Sequence, residues 1–214
     1  MQFYWILSSH IVALLPISQC LWSFKQHRTY DSLLTLLHLI FTVYFSICYH
    51  THDYDDVKEP LLNSRSIWTV LDHWSSSVCI VENAFYSFKI REPYIYIISY
   101  TSGTILLFFK VADQGYAAHF YVFLSILFTL IIKYRITIKY LKQWYFRSIL
   151  ALSCGSIATY SIYAPNLGMN YTTWHPIWHT CIFTTAFLAN SMRHSLDKEI
   201  IDKTDYTRAT SESI

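Results

Sequence analysis

Three histidines and one aspartate have the residue types and spacing for metal chemistry. His175 and His179 stand at i and i+4, so a helix would present both imidazoles on one face. His50 ends an apolar stretch, with Ser46 one turn before it, and Asp72 lies about five residues into another. Zinc binds imidazole nitrogens at about 2.0–2.1 Å, and three of them leave a fourth position open. His50, His175 and His179 are the expected ligands. Ser46 and Asp72 stand beside them, and His119 is a further candidate for the surrounding shell. His10 is expected to pack against polar neighbours, and His52 and His73 to lie at an interface. A plainer alternative is an interfacial belt, since Trp74, Trp174 and Trp178 flank the same residues.

These residues meet only if helices bring them to one depth, and the charge pattern supplies the helices. Of 214 residues, 53% are hydrophobic and 14% charged, against about a quarter charged in soluble domains. Aromatic residues reach 18%, with only 4 Gly and 5 Pro. Disorder, collagen-like repeats and an ordinary soluble enzyme are excluded, and a net charge of +2 gives no field for nucleic acid. Residues 1–24, 32–52, 93–109, 114–132 and 148–192 contain no Asp, Glu, Lys or Arg. A span needs about 20 mostly apolar residues. The expected fold is therefore all-α: a seven-helix transmembrane bundle over 1–192, with spans near 3–23, 32–50, 67–88, 93–110, 115–132, 146–163 and 175–192. Residues 193–214 are expected to form a mobile, polar cytosolic tail.

With the N-terminus outside and the C-terminus in the cytosol, only Lys58, Arg65 and Lys110 among the 16 Lys and Arg fall on the outer side. His50, Ser46, Asp72, His175 and His179 then converge near the outer surface, within about 6–8 Å of depth at 1.5 Å per residue. Lower down, His38 and Glu82 come to equal depth on neighbouring helices and are expected to form a buried polar pair, with Asn83 beside them. Asp72, Ser76, Cys79 and Asn83 recur at helical spacing, a stripe that should face the interior. Pro16 should kink the first span. The segment 133–147 mixes basic and aromatic residues and reads as an inner loop against anionic headgroups rather than an RNA-binding strip. All five cysteines fall inside expected spans as packed thiols, so the tail offers no lipidation site. Small-residue seams such as Ser99, Ser102 and Gly103 permit a homodimer but serve packing within the chain equally well.

Ser46-Ile-Cys-Tyr-His50, Asp72 early in the next span and His175-Pro-Ile-Trp-His179 opening the last one resemble the CREST superfamily, which includes alkaline ceramidases and progestin and adiponectin receptors. The likeness covers nearly all of the seven-span region. Within the superfamily the chain looks most like the myomaker group, through Phe41 to His50, Asp113-Gln-Gly-Tyr116 and His175 to Cys181. That likeness implies a multi-pass plasma-membrane protein that promotes cell–cell fusion of myoblasts, carries Zn2+ and works on membrane lipids, with a fusion partner on the same or the apposed cell. The acidic loop from Asp53 to Glu59 would face that partner. The superfamily equally implies a zinc-dependent lipid amidase, in which Asp72 would accept a proton and Ser46 would stabilise an oxyanion. The same residues serve both readings.

Overall fold

The structure, a computed structural model, describes residues 2–27, 29–54, 67–90, 92–111, 116–163 and 167–211. Among them the regular elements are α1 (Gln2–Ser9), a 3-10 turn (His10–Ala13), α2 (Leu14–His27), α3 (Tyr30–Tyr54), α4 (Ile67–Ser87), α5 (Pro93–Val111), α6 (Tyr116–Ile132), α7 (Tyr134–Gln143), α8 (Tyr145–Tyr163) and α9 (Tyr171–Ser211). Each of the seven expected segments is helical. By length and composition two described stretches, Ile6–Gln26 and Tyr30–Thr51, can cross a membrane alone, and Tyr121–Ile132 with Tyr134–Gln143 makes a third if that bent pair is one span. The polar stripe that α4 carries through Asp72, Ser75, Glu82 and Asn83 makes its hydropathy lower than that of a uniformly apolar helix. Most of the acidic loop, residues 55–66, lies outside the described residues.

The distribution of side chains is the reverse of a soluble bundle. Phe123, Ile131 and Phe146 stand more than 60% exposed on the outer faces of α6 and α8, while Ser75, Glu82, Ser87 and Asn190 are fully buried. Water would penalise both features, whereas hydrocarbon favours an apolar skin around satisfied polar groups. The apolar helices thus point to a membrane protein. Small apolar clusters fill the gaps between polar layers: Leu36, Leu39, Cys79 and Tyr86 with Phe183, and Tyr140 with Met192 and Leu196 nearer the base. Helix α9 is central and packs on α8, α2, α4 and α1, and α3 lies along α4. At the α4–α5 crossing, a Cβ on Gly103 would sit 2.7 Å from Val78 Cγ2, so only glycine allows that approach.

Three features depart from the sequence reading. Pro16 acts upstream of itself: it has no N–H for the Val12 carbonyl and its ring crowds that group, so His10–Ala13 tightens into a 3-10 turn. The segment expected as an inner loop is helix α7, which turns 84° from α6 and is tied down by Tyr140, whose hydroxyl donates to the Ser87 carbonyl at 2.6 Å. The expected tail begins as helix rather than as irregular chain. Residues 193–211 continue α9, and Arg193 and Leu196 on its stretch past 192 are buried.

Candidate metal centre

Four imidazoles meet at one end of the bundle. His10 opens the 3-10 turn, His50 lies in the last two turns of α3, and His175 and His179 share a face at the start of α9. Ring centroids of His50 and His175 are 4.6 Å apart, those of His175 and His179 4.5 Å, and those of His10 and His179 4.1 Å. The Nε2 atoms of His50 and His175 approach to 2.9 Å. His10, His50 and His179 are each at least 95% buried and offer one nitrogen apiece within 4.8 Å of one another. Trp178 closes the side of the cluster, 4.8 Å from His179 and 5.5 Å from His175 between ring centres.

Hydrogen bonds fix the tautomers of two rings. His10 Nδ1 lies 3.1 Å from the Ile6 carbonyl, which only accepts, so Nδ1 carries the proton and Nε2 is a bare lone pair. Ser9 Oγ donates its single proton to the same carbonyl at 2.6 Å, so it accepts from His179 Nδ1 at 3.0 Å. His179 Nε2 is therefore also a bare lone pair. Both Nε2 atoms are buried without a hydrogen-bond partner among the described residues. Two desolvated lone pairs with no donor cost roughly 1–3 kcal/mol each, and a shared cation removes that cost.

This donor set fits zinc. Tetrahedral coordination at about 2.0–2.1 Å puts ligand nitrogens about 3.3–3.4 Å apart. The nitrogens of His10, His50 and His179 lie within 4.8 Å of one another, so small side-chain shifts bring them to that spacing, and His175 Nε2 lies 2.9 Å from His50 Nε2. The Nδ1–H groups of His10 and His179 are already held by a carbonyl and a hydroxyl, the arrangement that orients metal-bound imidazoles.

The expected ligands His50, His175 and His179 stand together, and His10, expected only to pack, joins them. Ser46 is buried one turn below His50, and its Oγ has no partner among the described residues. Asp72 is buried on α4, with Ser75 Oγ donating to its carbonyl at 3.1 Å. The side chain of His119 lies outside the described residues. In the lower layer His38 Nδ1 is 2.5 Å from Glu82 Oε2 and 2.7 Å from the Tyr100 hydroxyl.

Sequence reasoning missed a further layer at the base of the bundle. Arg193, 1% exposed, pairs with buried Asp31 at 2.8 Å, donates to the Tyr86 carbonyl at 2.5 Å and lies over the Tyr86 ring at 3.8 Å. Asp197 accepts from Arg193 at 3.4 Å and pairs with Lys89. Burial pushes the Asp197 carboxyl up, but these two cations outweigh it and hold the group below its ordinary value. Lys89 adopts φ 58° where α4 ends, as Ile90 N–H bonds the Phe85 carbonyl and Lys89 N–H that of Tyr86. A charge at the head of an apolar run, Asp31, was the available signal.

The chain matches no known protein-family profile, and neither a curated protein nor a solved structure resembles it significantly.

Proposed function

We propose that this is a seven-span plasma-membrane protein of the CREST type, with its N-terminus outside, that promotes cell–cell fusion and holds zinc near the outer leaflet. The observation that carries the metal reading is the cluster of buried histidines with two partnerless Nε2 lone pairs. The apolar exterior and the basic inner segments support the topology. The likeness of the Ser46–His50, Asp72 and His175–His179 segments to the myomaker group supports the fusion reading.

When bound, zinc supplies a cross-link between helices and a Lewis acid. The chain's own residues do the rest. Ser9 and the Ile6 carbonyl hold His179 and His10 in the ligating tautomer. Trp178 and the bundle wall exclude water from the rings. The helices so joined present a fixed outer end to the apposed membrane, whose outer leaflets must lose water and bend before they merge. Lipids and a protein on the same or apposed cell are the partners of that surface.

A second reading, a zinc-dependent lipid amidase or esterase, rests on the buried Asp72 carboxylate and on Ser46, whose buried Oγ has no partner among the described residues. Expression in non-fusing fibroblasts, with counting of multinucleate cells, tests both. Fusion that survives Asp72→Ala and is lost in His50→Ala supports the first reading. Turnover of ceramide or lysolipid by purified protein, abolished by Asp72→Ala, favours the second. Less than about half an equivalent of zinc in purified protein counts against both.

A further inference from the structure

We infer that His10 is the fourth zinc ligand, so that the site is a closed four-histidine clamp with no position for an exchangeable ligand. This assignment rests on the metal reading above and deepens it. Sequence spacing alone proposed His50, His175 and His179 with an open fourth position. The structure places a fourth imidazole there.

Three observations carry the assignment. His10 is 5% exposed, and its ring centre is 4.1 Å from that of His179 and 5.9 Å from that of His50. Its Nδ1–H is committed to the Ile6 carbonyl, which leaves Nε2 as an acceptor in the shape a metal requires. That Nε2 is buried and finds no donor among the described residues, and the His10 ring offers a nitrogen within 4.8 Å of those of His50 and His179. A simple packed histidine would turn such an atom to a donor or to water.

The backbone explains how His10 gets there. The 3-10 turn that Pro16 imposes begins at His10, and a turn of this kind inside a helix rotates the following side chains relative to an uninterrupted α-helix. Ser9, the preceding residue, grips His179 from the same turn. The first helix thus contributes one prospective ligand and the hydrogen-bond acceptor for another. Closure of the site makes the metal a tie between the first, third and last helices. Four nitrogen ligands are the pattern of structural zinc, whereas catalytic zinc keeps a position open.

Cobalt(II), which takes zinc's place in tetrahedral sites and reports its ligands by visible absorption, gives the test, with azide as the probe of an open position. Purified full-length protein is expected to bind one equivalent, with a spectrum that azide leaves unmoved. His10→Asn keeps a side-chain amide for the Ile6 carbonyl and removes only the outer nitrogen. It should bind at least about 100-fold more weakly, since even outer-shell partners are worth about 10–100-fold, and its spectrum should shift with azide. An azide shift in the unsubstituted protein overturns the assignment and requires no variant to fold. So does a His10→Asn protein with unchanged affinity and spectrum. In both cases one equivalent of metal still binds, and the zinc reading stands without His10. If neither cobalt nor zinc binds the unsubstituted protein, the metal reading itself falls, and the assignment with it.

Discussion

Breaking the ion pair at the base of the bundle should cost more than any other single polar deletion there. Arg193 and Asp31 are 1% and 0% exposed and meet at 2.8 Å. Arg193→Met would leave the Asp31 carboxylate buried without its cation and the Tyr86 carbonyl with one donor fewer. Removal of one member of a buried pair costs about 3–5 kcal/mol. For a chain of this length that is a fall of roughly 6–20 °C in melting temperature. Asp31→Asn should cost less, because Asp197 remains 3.4 Å from Arg193 Nε to share its charge. The double variant should recover part of the loss, with a coupling on the order of 2 kcal/mol. Thermal unfolding of the four proteins in detergent micelles, followed by tryptophan fluorescence, completes the cycle. Single-variant losses under about 1 kcal/mol, or strict additivity, would refute the reasoning, since a surface pair behaves that way and a buried one does not.

The two helical glycines should respond in opposite ways. Gly103→Ala puts a Cβ 2.7 Å from Val78 Cγ2 and should destabilise by up to about 2 kcal/mol, whereas Gly155→Ala meets only Thr185 at 3.9 Å and should gain up to about 1 kcal/mol of helix propensity. Thermal melts of both decide, and equal shifts would show that α4 and α5 do not touch at this crossing. Asp197 has a depressed folded pKa, so its contribution is complete above the unfolded value near 3.8 and is lost as pH falls through the lower folded value. The stability difference between the protein and Asp197→Asn should therefore be constant at neutral pH and shrink below about pH 4, as denaturant titrations at each pH would reveal. Stripping zinc with a chelator should remove roughly 2.7 kcal/mol relative to metal at 100 times its Kd. In hydrogen exchange the protection lost should lie around His10, His50 and His179 rather than around Arg193, and uniform loss would contradict a local clamp.

The parts of this fold that were legible in the sequence are those that follow from chain-local physics. Charge-free runs mark the helices because a buried charge in lipid is expensive. The pair His175 and His179 needs only the helical repeat, and His50 needs only depth counted from a span's end. The rest depends on how helices rotate and pack. His10 was set aside as a packing residue because its route into the cluster runs through the 3-10 turn that Pro16 imposes, a change of azimuth that depth does not register. Arg193 was read as one more inner basic residue. Its partner Asp31 is 162 positions away, and a charge at the head of an apolar run does not say what it pairs with. The course of α9 past residue 192 was hidden for the same reason, since Leu196 packs on Tyr140 of α7 and Asp197 pairs with Lys89 just past the end of α4.

Helices in lipid gain little from burying apolar surface against one another, because acyl chains are as apolar as leucine. Packing and polar ties must then hold the bundle, and here the ties are stacked. The histidine cluster joins the first, third and last helices at one end. Glu82, His38 and Tyr100 join α4, α3 and α5 below it. Ser87 donates to Asn190 at 2.8 Å, and Asn190 to Asn83 at 3.4 Å, between α4 and α9. Arg193, Asp31, Asp197 and Lys89 close the base. Among the described residues, the first layer leaves two bare acceptors, His10 Nε2 and His179 Nε2. The three further layers are assembled from the chain's own donors and acceptors, so they do not depend on the histidine layer for their partners.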